Sequence, residues 1–119
     1  MDIKLAVSHM DLSPAMQKCA KFSPKLRSDL VRQAIADTES FVPILNGDLR
    51  GTAHSESRPD EGLIVYGSGS VPYARYQYYG DFAHPNGGQK QWFEASKAQY
   101  MAAWEKLAKT IAAQEFSGR

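Results

Sequence analysis

The chain is poor in the residues that build disulfides, metal centres and proton-transfer machinery. Among its 119 residues there is one cysteine, Cys19, so no internal disulfide can form. Cys19 stands among Met16, Lys18 and Ala20, with no ligand at metal spacing, and reads as a small buried hydrophobe. The three histidines, His9, His54 and His84, are scattered along the chain without a second ligand close by, so no metal site is expected. Ser55 follows His54 outside any nucleophile motif, and no Gly-x-Ser-x-Gly occurs. The stretch Gly67-Ser68-Gly69 lacks the lysine and the spacing of a phosphate loop. Asp48, Asp60, Glu61 and Asp81 all fall where turn chemistry explains an acidic residue. These absences leave no candidate catalytic residue and no cofactor, and an enzyme is not expected.

Other absences narrow the setting. No run of about 18 apolar residues exists, which removes a membrane-spanning helix. The start, Met1-Asp2-Ile3-Lys4-Leu5-Ala6-Val7, has no basic region ahead of a long apolar stretch, so a secretory leader is not expected. The expectation is a soluble protein made in a cytoplasm. The formal net charge of +1 shows no excess of either sign that would announce a polyanion or a membrane surface. No internal repeat or low-complexity tract appears.

What is present is an ordinary globular composition, 43% hydrophobic and 23% charged, at a length that suits one domain spanning 1–119. Ile3, Leu5 and Val7 alternate with Lys4, Ala6 and Ser8, the pattern of a strand with one buried face. Two Ser-Pro pairs follow. Serine accepts from the free amides of a first helical turn, and proline at the first position loses no bond. Ser13-Pro14 therefore opens a helix to about Lys21, and Ser23-Pro24 opens a longer one to about Phe41, ended by Pro43. In the second, Leu26, Leu30, Ala34 and Thr38 share a face, with Val31 and Ile35 alongside and Arg27, Arg32 and Asp37 toward water. After a turn at Gly47, Leu49, Gly51, Ala53 and Ser55 alternate with polar residues and predict a strand. Arg58 to Gly62 is a turn, and Leu63-Ile64-Val65-Tyr66 predicts a strand returning beside the previous one. Gly67 to Ser70 reads as flexible and Asp81 to Gly88 as a loop. The clearest helix spans about Gln89 to Ala113. There Phe93, Lys97, Tyr100, Trp104, Leu107 and Ile111 form a stripe, and Glu105 precedes Lys109 by four residues. The order predicts an α+β fold, a small antiparallel sheet packed on N-terminal helices and one long C-terminal helix.

Four of the six tyrosines crowd into Val71-Pro72-Tyr73-Ala74-Arg75-Tyr76-Gln77-Tyr78-Tyr79-Gly80. This stretch resembles a hallmark of tailed-phage minor capsid and neck proteins, Pro-Tyr-Ala followed by Tyr-Gly. His84-Pro85 and then Trp92-Phe93-Glu94-Ala95-Ser96-Lys97 resemble that family's tryptophan-bearing start to its terminal helix. Phe41-Val42-Pro43-Ile44-Leu45-Asn46-Gly47-Asp48-Leu49-Arg50 resembles its element after the long helix, with Asn46 where threonine is usual. The likeness runs from about Phe22 to Leu107. It implies a virion structural protein at the head–tail junction, made in the host bacterial cytoplasm, serving head closure or tail completion. Its implied partners are further copies in a ring of six or twelve, the portal-side adaptor and tail-end proteins, with non-specific contact to DNA in the channel and none with membrane.

Tyrosine suits an interface because its ring buries while its hydroxyl stays hydrogen-bonded. If one or two helical turns follow Pro72, Tyr73, Tyr76 and Gly80 share a side and Tyr78 and Arg75 point elsewhere. The residues expected to meet neighbours are Arg75, Tyr78, Tyr79, Phe82 and Trp92. Those expected to hold the fold are Leu30, Ile35, Leu49, Ile64, Tyr73, Trp104 and Leu107. The alternative from another class is a small nucleic-acid-binding protein, using Lys18, Lys21, Lys25, Arg27 and Arg32 with the tyrosine segment.

Overall fold

The computed structural model describes residues 2–44, 48–82, 84 and 87–116, the side chain at 48 apart. The expected turn at Gly47 and part of the expected loop before Gly88 lie outside the described residues. Both Ser-Pro pairs open helices. Helix α1 spans Pro14–Phe22 and α2 spans Pro24–Thr38, each with proline in its first turn. The Ser13 hydroxyl accepts from the Met16 amide at 3.3 Å and that of Ser23 from the Leu26 amide at 3.1 Å. A 3-10 turn, Glu39–Phe41, carries the chain on from α2, so the long helix expected to Phe41 tightens over its last residues.

Strand β1 (Ile3–Ala6) pairs antiparallel with β2 (Leu63–Tyr66), Ile3 opposite Tyr66 and Ala6 opposite Leu63. The sheet has these two strands. The segment expected as a strand from Leu49 to Ser55 is instead helix α3, Asp48–Glu56. Its alternation was of weakly apolar residues, and the same residues also satisfy a helical period: Leu49, Thr52 and Ala53 are buried together. The partner of β2 is therefore β1, from the far end of the sequence, and α3 packs against β2. Two further helices complete the fold, α4 (Ala74–Tyr79) and the 25-residue α5 (Trp92–Phe116). The result is α+β, as expected.

Helix α5 organises the core. Its stripe holds: Phe93, Trp104 and Ile111 are buried, with Lys97, Tyr100 and Leu107 half-buried. Phe93 stacks on Trp104, with ring centres 5.7 Å apart. Leu30, Ile35, Leu49 and Ile64 are buried in the same cluster, and Tyr73 and Leu107 pack against it. Cys19 is half-buried at its margin.

Polar bonds lock the helices to this frame. Trp104 Nε1 donates to Asp37 Oδ2 at 2.8 Å, so Asp37 turns toward α5 rather than only to water. Thr38 Oγ1 donates to Ser96 Oγ at 2.8 Å, both side chains fully buried. Each capping serine is also held by a glutamate of α5. Glu105 accepts from both the amide and the hydroxyl of Ser13 at 2.8 Å, and Glu115 accepts from the Ser23 hydroxyl at 3.1 Å. The expected pair with Lys109 is present as well, at 3.6 Å.

Candidate interaction surface

The tyrosine segment enters from a turn in which Ser68 and Val71 exchange backbone hydrogen bonds of 3.1 Å. Helix α4 then begins at Ala74, and its inward face is set by a four-residue step: Ala74 and Tyr78 are buried. The outward face carries Arg75, Tyr76 and Tyr79. Tyr76, expected to share a side with Tyr73, is 70% exposed, whereas Tyr73 packs partly buried against the core. The small Ala74, four residues before Tyr78, was the signal that fixes which side faces in.

Tyr78 and Trp92, two residues expected to meet a neighbour, are turned inward, at 4% and 0% exposure. Tyr78 packs edge-on against Trp92 with ring centres 4.6 Å apart, and Trp92 packs edge-on against Tyr66 at 5.4 Å. The Gln91 amide donates to the Tyr78 carbonyl at 2.8 Å, pinning the end of α4 to the start of α5. Burial pushes the hydroxyls of Tyr66 and Tyr78 well above the ordinary tyrosine range, so both stay neutral. These three aromatics anchor the segment rather than present it.

Arg75, Tyr79 and Phe82 are at the surface, with Tyr79 61% and Phe82 50% exposed. Gly80 makes their arrangement possible. A Cβ there would lie 2.7 Å from the Tyr76 carbonyl oxygen and overlap the Phe82 ring, which folds over the glycine. Arg75, Tyr76, Tyr79 and Gly80 line a shallow, largely apolar groove.

The other stretches that carry the resemblance serve the frame around this surface. Val42 and Pro43 are buried, and Gly88, at φ +88°, lies against them so closely that any side chain there would collide with their backbone. The Gln89 amide donates to the Phe41 carbonyl at 2.9 Å. Arg50 reaches back from α3, its Nε donating to the Val42 carbonyl at 2.9 Å. Lys90 pairs with Asp81 across the loop.

The basic residues of α1 and α2 are partly used within the fold. Lys25 pairs with Asp29 at 2.8 Å, which raises its pKa. The Arg27 guanidinium donates to the carbonyls of Ala20, Lys21 and Asp60, each at 2.9 Å, bracing α1 and the 3-10 turn Pro59–Glu61 against α2. Lys18, Lys21 and Arg32 are exposed. Among the described residues, no three acidic, histidine or cysteine side chains gather as a metal set, and no helix is long and apolar enough to cross a membrane.

A family model described as minor capsid protein matches residues 6–111. Neither the curated proteins nor the solved structures give a match. The matched span begins at the last residue of β1, takes in α1 to α4 and β2, and stops within α5.

Proposed function

Because the chain belongs to the minor capsid protein family, and so is a structural protein of a phage particle, we propose that it works in the neck, joining head to tail by assembling with copies of itself. The single observation that carries this reading is the surface made by Arg75, Tyr76, Tyr79 and Phe82. Three large aromatics stand exposed on one short stretch while Tyr66, Tyr78 and Trp92 beneath them are fixed. A rigid platform with exposed aromatics and an arginine has the composition of an interface centre. In this reading the platform meets the neighbouring subunit in a ring of six or twelve, and the adjoining neck proteins above and below the ring complete head closure or tail completion. The station at the head–tail junction rests on the likeness of Pro72 to Gly80 to neck proteins.

Tyr79→Ala tests it. Tyr79 is exposed, so the variant is expected to fold as the parent does, with unchanged circular dichroism and melting. Complementation of a phage lacking the protein should then yield particles without the subunit, or heads without tails. Normal incorporation into infectious virions would overturn the reading.

A further inference from the structure

Beside the apolar groove lies a second cleft of about 510 Å³, and the two share Arg75 and Tyr79 as a common wall. The second cleft is bounded by β1, α4 and the start of α5, with Lys4, His9, Tyr78 and Gln91 among its lining residues. Its charge is unbalanced. Among the described residues neither Lys4 nor Arg75 enters an ion pair. Glu94, the one carboxylate on the wall, is held 3.3 Å from Lys97, which also pairs with Asp11 at 3.1 Å. The positive end of the 25-residue α5 opens on the same space. His9 accepts the Ala6 amide at Nδ1, 2.8 Å away, which leaves its ring proton on Nε2 as a donor. Among the described residues the buried hydroxyl of Tyr78 has no hydrogen-bond partner.

The strand edge adds a direction. The Val7 amide donates to the Gly62 carbonyl at 3.0 Å, in register with the β1–β2 ladder, so Ile3 and Leu5 also sit at hydrogen-bonded positions. The peptide groups of Lys4 therefore face the outer edge of β1, on the cleft side. The outer edge of β2 is already covered, since Val65 donates to Ser57 Oγ at 2.9 Å and Leu63 pairs with Arg58.

From this juxtaposition we infer that the paired clefts bind an extended segment of the neighbouring subunit, one that sets a carboxylate between Lys4 and Arg75 and an adjacent apolar side chain in the groove of Tyr76 and Tyr79. This rests on reading the same face as the assembly surface, and it names the chemistry of what docks there. A phosphate backbone is the poorer occupant, because one of the two clefts is largely apolar and Glu94 stands on the cationic wall of the other.

The probe is N-acetyl-phenylalanine, a carboxylate beside an aromatic ring, titrated into the ¹⁵N-labelled full chain. Saturable shifts are expected at the amides of Lys4, Arg75 to Asp81 and Gln91 to Glu94. The neutral N-acetyl-phenylalaninamide should bind about tenfold more weakly, and Arg75→Gln or Lys4→Gln should weaken the acid by about tenfold while leaving the rest of the spectrum in place. No saturable shift, equal binding of acid and amide, or inorganic phosphate moving the same amides as strongly would each overturn the inference. The two readings fail separately. Absence of probe binding, with Tyr79→Ala still excluded from particles, overturns the segment chemistry alone. Saturable binding with Tyr79→Ala fully incorporated overturns the assembly role alone.

Discussion

Gly51 sits within α3, exposed, where a Cβ would meet no atom within 4 Å. Its φ is not among the positive ones, so nothing in the fold requires glycine there. Glycine in a helix interior costs about 0.5–1 kcal/mol relative to alanine, mostly through backbone freedom in the unfolded chain. Gly51→Ala should stabilise the protein by that amount, measured as a higher denaturant midpoint at unchanged slope. A loss of stability would mean that α3 is not the helix described. Gly80 is the opposite case. A methyl group there must displace the Phe82 ring and press on the Tyr76 carbonyl. Gly80→Ala should therefore disturb the exposed groove and, if the assembly reading holds, lower incorporation into particles as Tyr79→Ala does.

At the scale of elements, two contacts tie α5 to the N-terminal helices in ways that can be measured. Thr38 and Ser96 bond to each other in a fully buried site. Thr38→Val strands the Ser96 hydroxyl and should cost about 1–3 kcal/mol, the penalty of an unpaired buried polar group. Thr38→Val with Ser96→Ala should cost less than the two single changes summed, and strict additivity in the double-mutant cycle would contradict the bond. The second contact titrates. The Ser13 amide, opposed by burial and helped by the Ser13 hydroxyl and Lys109, holds the Glu105 carboxyl below its ordinary 4.5. A carboxylate whose pKa is depressed on folding stabilises fully above its unfolded value and loses that stabilisation as pH falls through its folded value. The parent should therefore be more stable than Glu105→Gln near neutrality, and the gap should close as pH drops below 4.5. A gap that stays constant into acid would show that the Ser13–Glu105 link does not form.

The elements that the sequence announced are those in which one rule dominates. The Ser-Pro starts of α1 and α2 carry their own capping chemistry, and the stripe of α5 runs long enough to fix its period. The α3 segment failed because Leu49, Gly51, Ala53 and Ser55 are small or weakly apolar, so their pattern fits either period and tertiary packing decides. That error also gave β2 the wrong partner, since its true neighbour, β1, lies about 60 residues away in sequence, beyond any local rule. The surface was half legible. Arg75, Tyr79 and Phe82, expected to meet a neighbour, are exposed, while Tyr78 and Trp92, expected there too, lock together inside. Composition marks which residues suit an interface; the phase of a six-residue helix decides which of them reach it. Lys4 and Gln91 were missed because only the packing of β1 and α5 brings them beside α4.

The whole molecule is elongated, 51 × 26 × 18 Å, and α5 alone runs about 36 Å at 1.5 Å per residue. The exposed aromatics of the platform lie at the N-terminal end of that helix. At its other end, Phe116 and Phe22 are both exposed, and their sequence neighbours Glu115 and Ser23 are hydrogen-bonded to each other. Two unlike patches at the two ends of one helix are compatible with the head-to-tail contacts that the proposed ring requires. The size of the platform sets how the proposed ring would form. Tyr76, Tyr79 and Phe82 leave roughly 300–400 Å² of aromatic surface at their observed exposures, taking about 200 Å² for each whole residue. A stable pairwise interface takes about 800 Å² from each partner. One platform alone falls short, so a subunit needs further contacts with a surface already in place before it stays bound. The purified protein is therefore expected to be a monomer at tens of micromolar by light scattering, and to gather into rings only when neighbouring neck components are supplied. A stable ring or dimer mass for the isolated chain would contradict that estimate and place a larger interface elsewhere on the molecule.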